Sequence, residues 1–252
     1  MKNGVFFILL VGLFASRDAV WASDKGLPGQ SIDLLDDEFK ADDLNQGNSV
    51  YDPLEPMNRV FFEFNDKLYF WVLKPVKTGY SAVVAEDIRR CFGNFFDNIA
   101  SPVSFLNNLL QGRLEDSGVV LSRFAINTTM GIFGFADAAS EVYHITPRPA
   151  DFGQTLGVYG FGAGIYVVWP VIGPSNIRDS VGFVGDIYAH PVTYLDWDMA
   201  EQTGYYMGNK INAMSLRPDV YEDLKKMSLD PYVAARQAYA EHRQDQIDRQ
   251  KR

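Results

Sequence analysis

Along residues 53–73 the apolar side chains recur at helical spacing: Leu54, Met57, Val60, Phe61, Phe64, Leu68, Trp71 and Val72. On a wheel of 100° per residue they fall within a stripe about 120° wide. Beside it runs a second stripe that mixes amides and rings, Asn58, Phe62, Asn65 and Tyr69, and the charged Arg59, Glu63 and Asp66 take the remaining side. One helix thus offers three surfaces, and its broad apolar face has to be covered. A protein core is the ordinary cover for such a face. A membrane leaflet is the other, because each buried Phe, Leu or Trp contributes about 1.5–3 kcal/mol without any need for charge.

Helical spacing also dominates 85–100, 102–110, 113–129, 198–215, 218–227 and 232–249, so the expected fold is all-α. The helix over 85–100 repeats the first design more weakly, with Ile88, Phe92, Phe95, Phe96 and Ile99 apolar and Asn94 and Asn98 set apart. Amides return at Asn107, Asn108 and Gln111. Asn is a poor helix former and a buried amide must find partners, so this recurrence points to caps, a polar network or a wet cavity. Residues 131–175 are the exception. They are rich in glycine, including Gly157, Gly160, Gly162 and Gly164, and hold a short β-like run at 165–169. Interior glycines cost about 1 kcal/mol each relative to Ala, which excludes a long helix there.

The ends differ from this middle. Lys2, the apolar residues 4–15 and the small residues around Trp21 and Ala22 read as a cleavable export signal over 1–22. About 12 apolar residues are too few for a retained span, which wants about 20. Residues 23–50 read as an acidic, flexible tether in which Phe39 is the one aromatic residue, with a brief helix around 32–39. The folded domain is expected over 51–241, and 242–252 as a charged C-terminal tail. No apolar run after residue 22 reaches the length of a transmembrane helix. Cys91 is the only cysteine, so there is no internal disulfide and no lipobox near the cleavage point to direct a lipid anchor. The net charge of −9 argues against nucleic acid as a partner and against polybasic attraction to lipid.

Signals for bond chemistry are weak. His144, His190 and His242 are far apart, no metal-ligand spacing accompanies them, and neither a metal nor a cofactor is expected. There is no G-x-S-x-G elbow. The run Gly160, Gly162, Gly164 lacks the ending of a dinucleotide loop and reads as a flexible turn. Cys91 reads as a small packing residue. Arg178 and Asp179 follow Pro174, Ser175 and Asn176, a good helix start, where a cap with an ion pair is one reading and a headgroup contact another.

The order of several motifs resembles one family. Asp52-Pro-Leu-Glu55-Pro-Met-Asn58-Arg59 with Phe62 and Asn65 is similar to the opening of the MlaA (VacJ) lipoproteins. Asn94, Asn98, Pro102, Asn107, Leu110-Gln111-Gly112, Arg123-Phe124, Asn127-Thr128 and Asp151-Phe-Gly153-Gln-Thr-Leu-Gly157 follow in family order. Gly173-Pro174-Ser175, Arg178-Asp179 and Asp230-Pro231-Tyr232 complete the match, which spans roughly 51–239.

The resemblance implies a ring-shaped assembly of amphipathic helices in the inner leaflet of a Gram-negative outer membrane, beside a trimeric porin, with a central amphipathic channel. It implies a transporter, not an enzyme. Phospholipid misplaced in the outer leaflet would pass through the channel to the periplasmic carrier MlaC, maintaining lipid asymmetry. A non-conducting scaffold that binds porin or membrane is the alternative. On this reading Asn58, Asn65, Tyr69 and Arg178 are assigned to the lipid path, and Phe61, Phe64, Leu68 and Trp71 to the membrane face. Gly157, Gly160, Gly162 and Gly164 are assigned to a gate. Typical members carry the lipobox that is not found here, so attachment is expected to rest on apolar helix faces and the porin.

Overall fold

The segment with the widest apolar stripe is helical. Helix α1 spans Glu55–Leu68 and carries Pro56 in its first turn, where a missing N–H breaks no bond. It continues through a π-helical turn, Tyr69–Leu73, into α2, Lys74–Val83. The computed structural model in which these elements are seen describes residues 50–217 and 219–251. The export signal (1–22), the tether as far as residue 49 with its brief helix, Pro218 and Arg252 lie outside the described residues.

The remaining elements are α3 (Glu86–Leu110), α4 (Leu114–Thr129), α5 (Ala138–Glu141) and α6 (Phe152–Val158). A two-stranded antiparallel hairpin follows, β1 (Tyr166–Trp169) and β2 (Gly173–Asn176), and then α7 (Ile177–Ala189) and a 3-10 turn (Pro191–Tyr194). The chain closes with α8 (Met199–Ser215), α9 (Val220–Met227) and α10 (Pro231–Gln250). The fold is therefore mostly helical, as expected, and β1 falls on the β-like run. Its register pairs Tyr166 with Asn176 and Trp169 with Gly173, across a turn in which Val171 and Gly173 both adopt positive φ.

Local chemistry sets several boundaries. Asp151 and Glu201's partner Asp198 build capping boxes at the starts of α6 and α8, and Asn176 accepts from the Asp179 N–H at the start of α7. The cap reading of 174–179 is thus what the backbone shows. Asp230 caps α10 through the N–H groups of Tyr232 and Val233.

Two expectations are corrected. Residues 85–100 and 102–110 form one helix, with Pro102 inside it. A proline there removes one backbone hydrogen bond, yet the helix carries on because Val103, Ser104, Asn107 and Asn108 are buried immediately beyond it. Residues 242–250 continue the helix expected over 232–249 and do not form a separate tail. They are the last turns of α10, in which Arg243 is 4% exposed and Ile247 1%.

The core is aromatic and lies between the hairpin and α10. Tyr166, Val168, Tyr232 and Tyr239 form it, with Val50, Phe61 and Phe62 packed against them. Helices α6 and α7 touch through backbone: a Cβ on Gly182 would lie 2.2 Å from the Gly153 nitrogen.

Candidate functional site

Helix α1 presents its amides to the hairpin. Asn58 Nδ2 donates to the Tyr166 carbonyl (3.1 Å) and to Asp52 Oδ1 (2.8 Å), and its Oδ1 accepts from the Val168 N–H (2.8 Å). Asn65 repeats the pattern two turns later, donating to the Trp169 carbonyl (2.9 Å) and accepting from the Val171 N–H (2.5 Å). The spacing is physically matched. Seven helical residues rise about 10.5 Å, and three strand residues, from Tyr166 to Trp169, cover about 10 Å. Two amide side chains therefore pair the outer edge of β1 as a neighbouring strand would.

Asn58 and Asn65, the residues assigned to a lipid path, thus bond the hairpin through their amides. Neither borders the two cavities described below, and the amide groups are occupied by the hairpin. Tyr69 also lies elsewhere, donating toward Asp219 and Glu222 in an ion-paired cluster with Lys74 and Lys77 that joins α1 and α2 to α9. Burial, then the two carboxylates, push its phenol well above the usual range. Arg178 is buried and pairs with Asp179 (2.9 Å).

Of the residues assigned to the membrane face, Phe64 and Trp71 are exposed, whereas Phe61 packs on the aromatic core and Leu68 is half-buried. The glycines divide similarly. Gly157 is a packing residue, since a Cβ there would lie 2.4 Å from Ile247 Cδ1. Gly160, Gly162 and Gly164 belong to an exposed loop after α6, two of them at positive φ.

A cavity of about 170 Å³ lies among α3, α6, the hairpin, α7, α8 and α10. Val103, Trp169, Ile172, Phe183, Ile187 and Tyr206 give it apolar surface. Its polar wall is built on Arg243. This guanidinium forks onto Asp151 (2.7 and 2.9 Å) and onto Asp179 (3.0 and 3.1 Å). Arg178, Tyr239 and Asn176 complete the shell of Asp179. Burial alone would raise the Asp179 carboxyl, but Arg243 and Arg178 hold it well below the usual carboxylate range. Asp186 accepts from Asn107 and from the Phe152 N–H, and so anchors α6 between α3 and α7. Lys210, on α8, donates to the Val171 carbonyl at the hairpin turn (2.9 Å), and burial pushes its ammonium down to about 8.

Sequence reasoning missed Arg243 by placing it in a tail. The available signal was the i, i+4 series Tyr239, Arg243, Ile247, all buried on one face of α10. Asp151 stood in a recognised motif without a role, and Asp179 was read only as part of a cap with an ion pair, which it forms with Arg178.

Pro149, Gln154 and Gln246 border the cavity and also a second, wider space of about 950 Å³, open at the surface. Between the two, Gln154 bonds Gln246 (3.1 Å) and Gln250 (2.5 Å). Outside, large apolar side chains are exposed on several helices: Val60, Phe64 and Trp71 on α1 and its π turn, Ile88, Phe92 and Leu106 on α3. The same helices bury their amides: Asn58, Asn98, Asn107 and Asn108. Among the described residues no helix is long and apolar enough to cross a membrane.

The profile of a family described as MlaA lipoprotein matches residues 50–246. The Escherichia coli (strain K12) protein named intermembrane phospholipid transport system lipoprotein MlaA is 34% identical over 197 residues, covering 77% of this chain and 76% of that protein. The protein of the same name from Haemophilus influenzae is 30% identical over 211 residues, covering 82% and 83%. An uncharacterized protein of Rickettsia bellii is 30% identical over 251 residues, covering 96% and 91%. A solved chain, reported under "Structural basis for maintenance of bacterial outer membrane lipid asymmetry", superposes with a TM-score of 0.68. It is 31% identical and covers 78% of this chain and 98% of that chain.

Proposed function

The chain belongs to the MlaA lipoprotein family, and on that premise we propose that it transports phospholipid between membranes. It takes misplaced phospholipid from the outer leaflet of the outer membrane through an amphipathic ring and passes it to the periplasmic carrier MlaC, beside a trimeric porin. The observation that carries this reading is that α1 and α3 bury the amides Asn58, Asn98, Asn107 and Asn108 while leaving Val60, Phe64, Ile88, Phe92 and Leu106 exposed. In water an apolar exterior is costly. In a leaflet it is the stable arrangement, and polar groups then turn toward the protein interior.

The helices lie along the leaflet, and their exposed apolar residues hold the protein there; the one cysteine, Cys91, sits on α3. Transport makes and breaks no bond. The cavity is of the size that admits a benzene-sized group, so a whole phospholipid passes only when the wall parts. The exposed loop at 160–164 directly follows α6, which carries Gln154, and we assign it the gating movement.

The test is transfer of labelled phospholipid from an asymmetric bilayer to the carrier. Acceleration by the purified protein, with no lysophospholipid formed, is the expected result. No acceleration would leave a non-conducting scaffold. Crosslinking the 160–164 loop to α7 should slow transfer; unchanged transfer would remove the loop from the gate.

A further inference from the structure

The wider of the two spaces has a charge that the rest of the chain does not prepare for. In a protein of net charge −9, its wall carries Arg113, Arg148 and Arg249 with His144 and His242, against the single acid Asp245. Arg249 pairs with Asp245 (2.8 Å). Arg113 and Arg148 share one carboxylate, Asp116, at 2.5 and 2.9 Å. One negative charge thus serves two guanidiniums that reach it from different segments, the start of α4 and the loop before α6. Half of the pair's positive charge is left for another anion.

A second observation points the same way. His242 Nε2, on the same wall, is buried without a hydrogen-bond partner among the described residues. Buried polar atoms are almost always paired, and an imidazole nitrogen without a partner, which donates in its N–H form, marks a place beside the cationic wall where an acceptor group of a ligand sits. The Arg243 cluster next door offers a control, since it forks onto two carboxylates and holds no surplus.

We propose that this vestibule binds the phosphate of a phospholipid headgroup, with Arg113 and Arg148 as its cationic ligands, and that an acyl chain reaches the adjoining apolar cavity when the Gln154 wall parts. The assignment rests on the transport reading for its ligand. The shared border at Pro149, Gln154 and Gln246 sets the two sites side by side, as a molecule with a charged head and an apolar body requires. Planar guanidiniums suit a phosphate oxyanion because each can donate two parallel hydrogen bonds.

The experiment measures binding of three probes to the full purified chain: a short-chain phosphatidylglycerol, the matching diacylglycerol without phosphate, and inorganic phosphate. Wild type is expected to bind the phospholipid about tenfold more tightly than the diacylglycerol. The double variant Arg113→Gln/Arg148→Gln should erase that gap while keeping diacylglycerol binding, and circular dichroism checks its fold. Asp116→Asn, which frees both arginines, should widen the gap, a gain that mere destabilisation does not produce. An undiminished gap in the double variant would overturn the vestibule site and leave transport standing. If wild type binds neither lipid, the transport reading fails, and inorganic phosphate decides the vestibule. Phosphate binding that the double variant loses assigns the site to free phosphate; no phosphate binding overturns it.

Discussion

On α1 and the turn that follows it, Val60 is 64% exposed and Trp71 74%, while Asn58, between them and the hairpin, is 0% exposed. The outer and inner sides of one helix so reverse the order expected in water. The comparison separates two kinds of energy. Inside, stability comes from directional bonds that leave few alternatives: the amides on the β1 edge and the carboxylates on Arg243. Outside, the apolar residues have little to hold within the protein itself, and their burial energy is realised only against something else. Substitutions inside should therefore unfold the chain, and substitutions outside should leave it folded but detached.

The largest effect is expected at the inner charge cluster. Arg243→Ala would leave Asp151 and Asp179 in a buried wall without their shared cation, and removing one member of a buried pair costs about 3–5 kcal/mol. Denaturant unfolding measures it, and a loss below about 1 kcal/mol would show that the wall is more solvated than its packing indicates. The same cluster fixes an acid response. Asp179 is held below its ordinary value in the folded state, so the unfolded chain binds the proton more readily. Its contribution is complete above the unfolded carboxylate range, near pH 4, and is lost as pH falls toward the folded pKa. Wild type should lose stability steeply below pH 4, and Asp179→Asn should flatten that slope.

Next in size is the seam between α1 and β1. Asn58→Leu would leave the Tyr166 carbonyl and the Val168 N–H unpaired, at about 1–3 kcal/mol. Because Asn58 and Asn65 grip the same hairpin, the double variant should depart from the sum of the singles. Strict additivity, read from urea midpoints, would mean that the two amides hold the strand independently.

These residues also show how far the sequence could be followed. The period of α1 was visible because its apolar side chains share one stripe, and the run of β1 because Tyr166, Val167 and Val168 are apolar and buried in succession. That two asparagines seven apart would serve as strand edge was not visible, since it needs the hairpin to be placed first. Pro102 looked like a boundary because local propensity favours a break, and the buried residues after it outweigh that preference. Arg243 looked solvated because its neighbours are polar, although Tyr239 and Ile247 mark its buried face. Of the residues first assigned to the lipid path, none borders either cavity described: Asn58 and Asn65 meet hairpin backbone, Tyr69 meets Asp219 and Glu222, and Arg178 meets Asp179.

The smallest effect on stability is expected outside, and it tests the comparison most directly. Replacing Val60, Phe64 and Trp71 by Ser removes exposed surface that touches little of the protein, and such changes usually stay within about 0.5 kcal/mol each. Membrane binding should respond oppositely. Each of these side chains contributes about 1.5–3 kcal/mol when buried, so the triple variant should fail to float with lipid vesicles that carry wild type. Unchanged unfolding with lost flotation would separate the two faces of α1 into a folding face and a lipid face. Full flotation by a folded triple variant would show that the apolar outside of α1 is not what meets the leaflet, and would move that contact to other exposed apolar residues, Ile88, Phe92 and Leu106 on α3 among them.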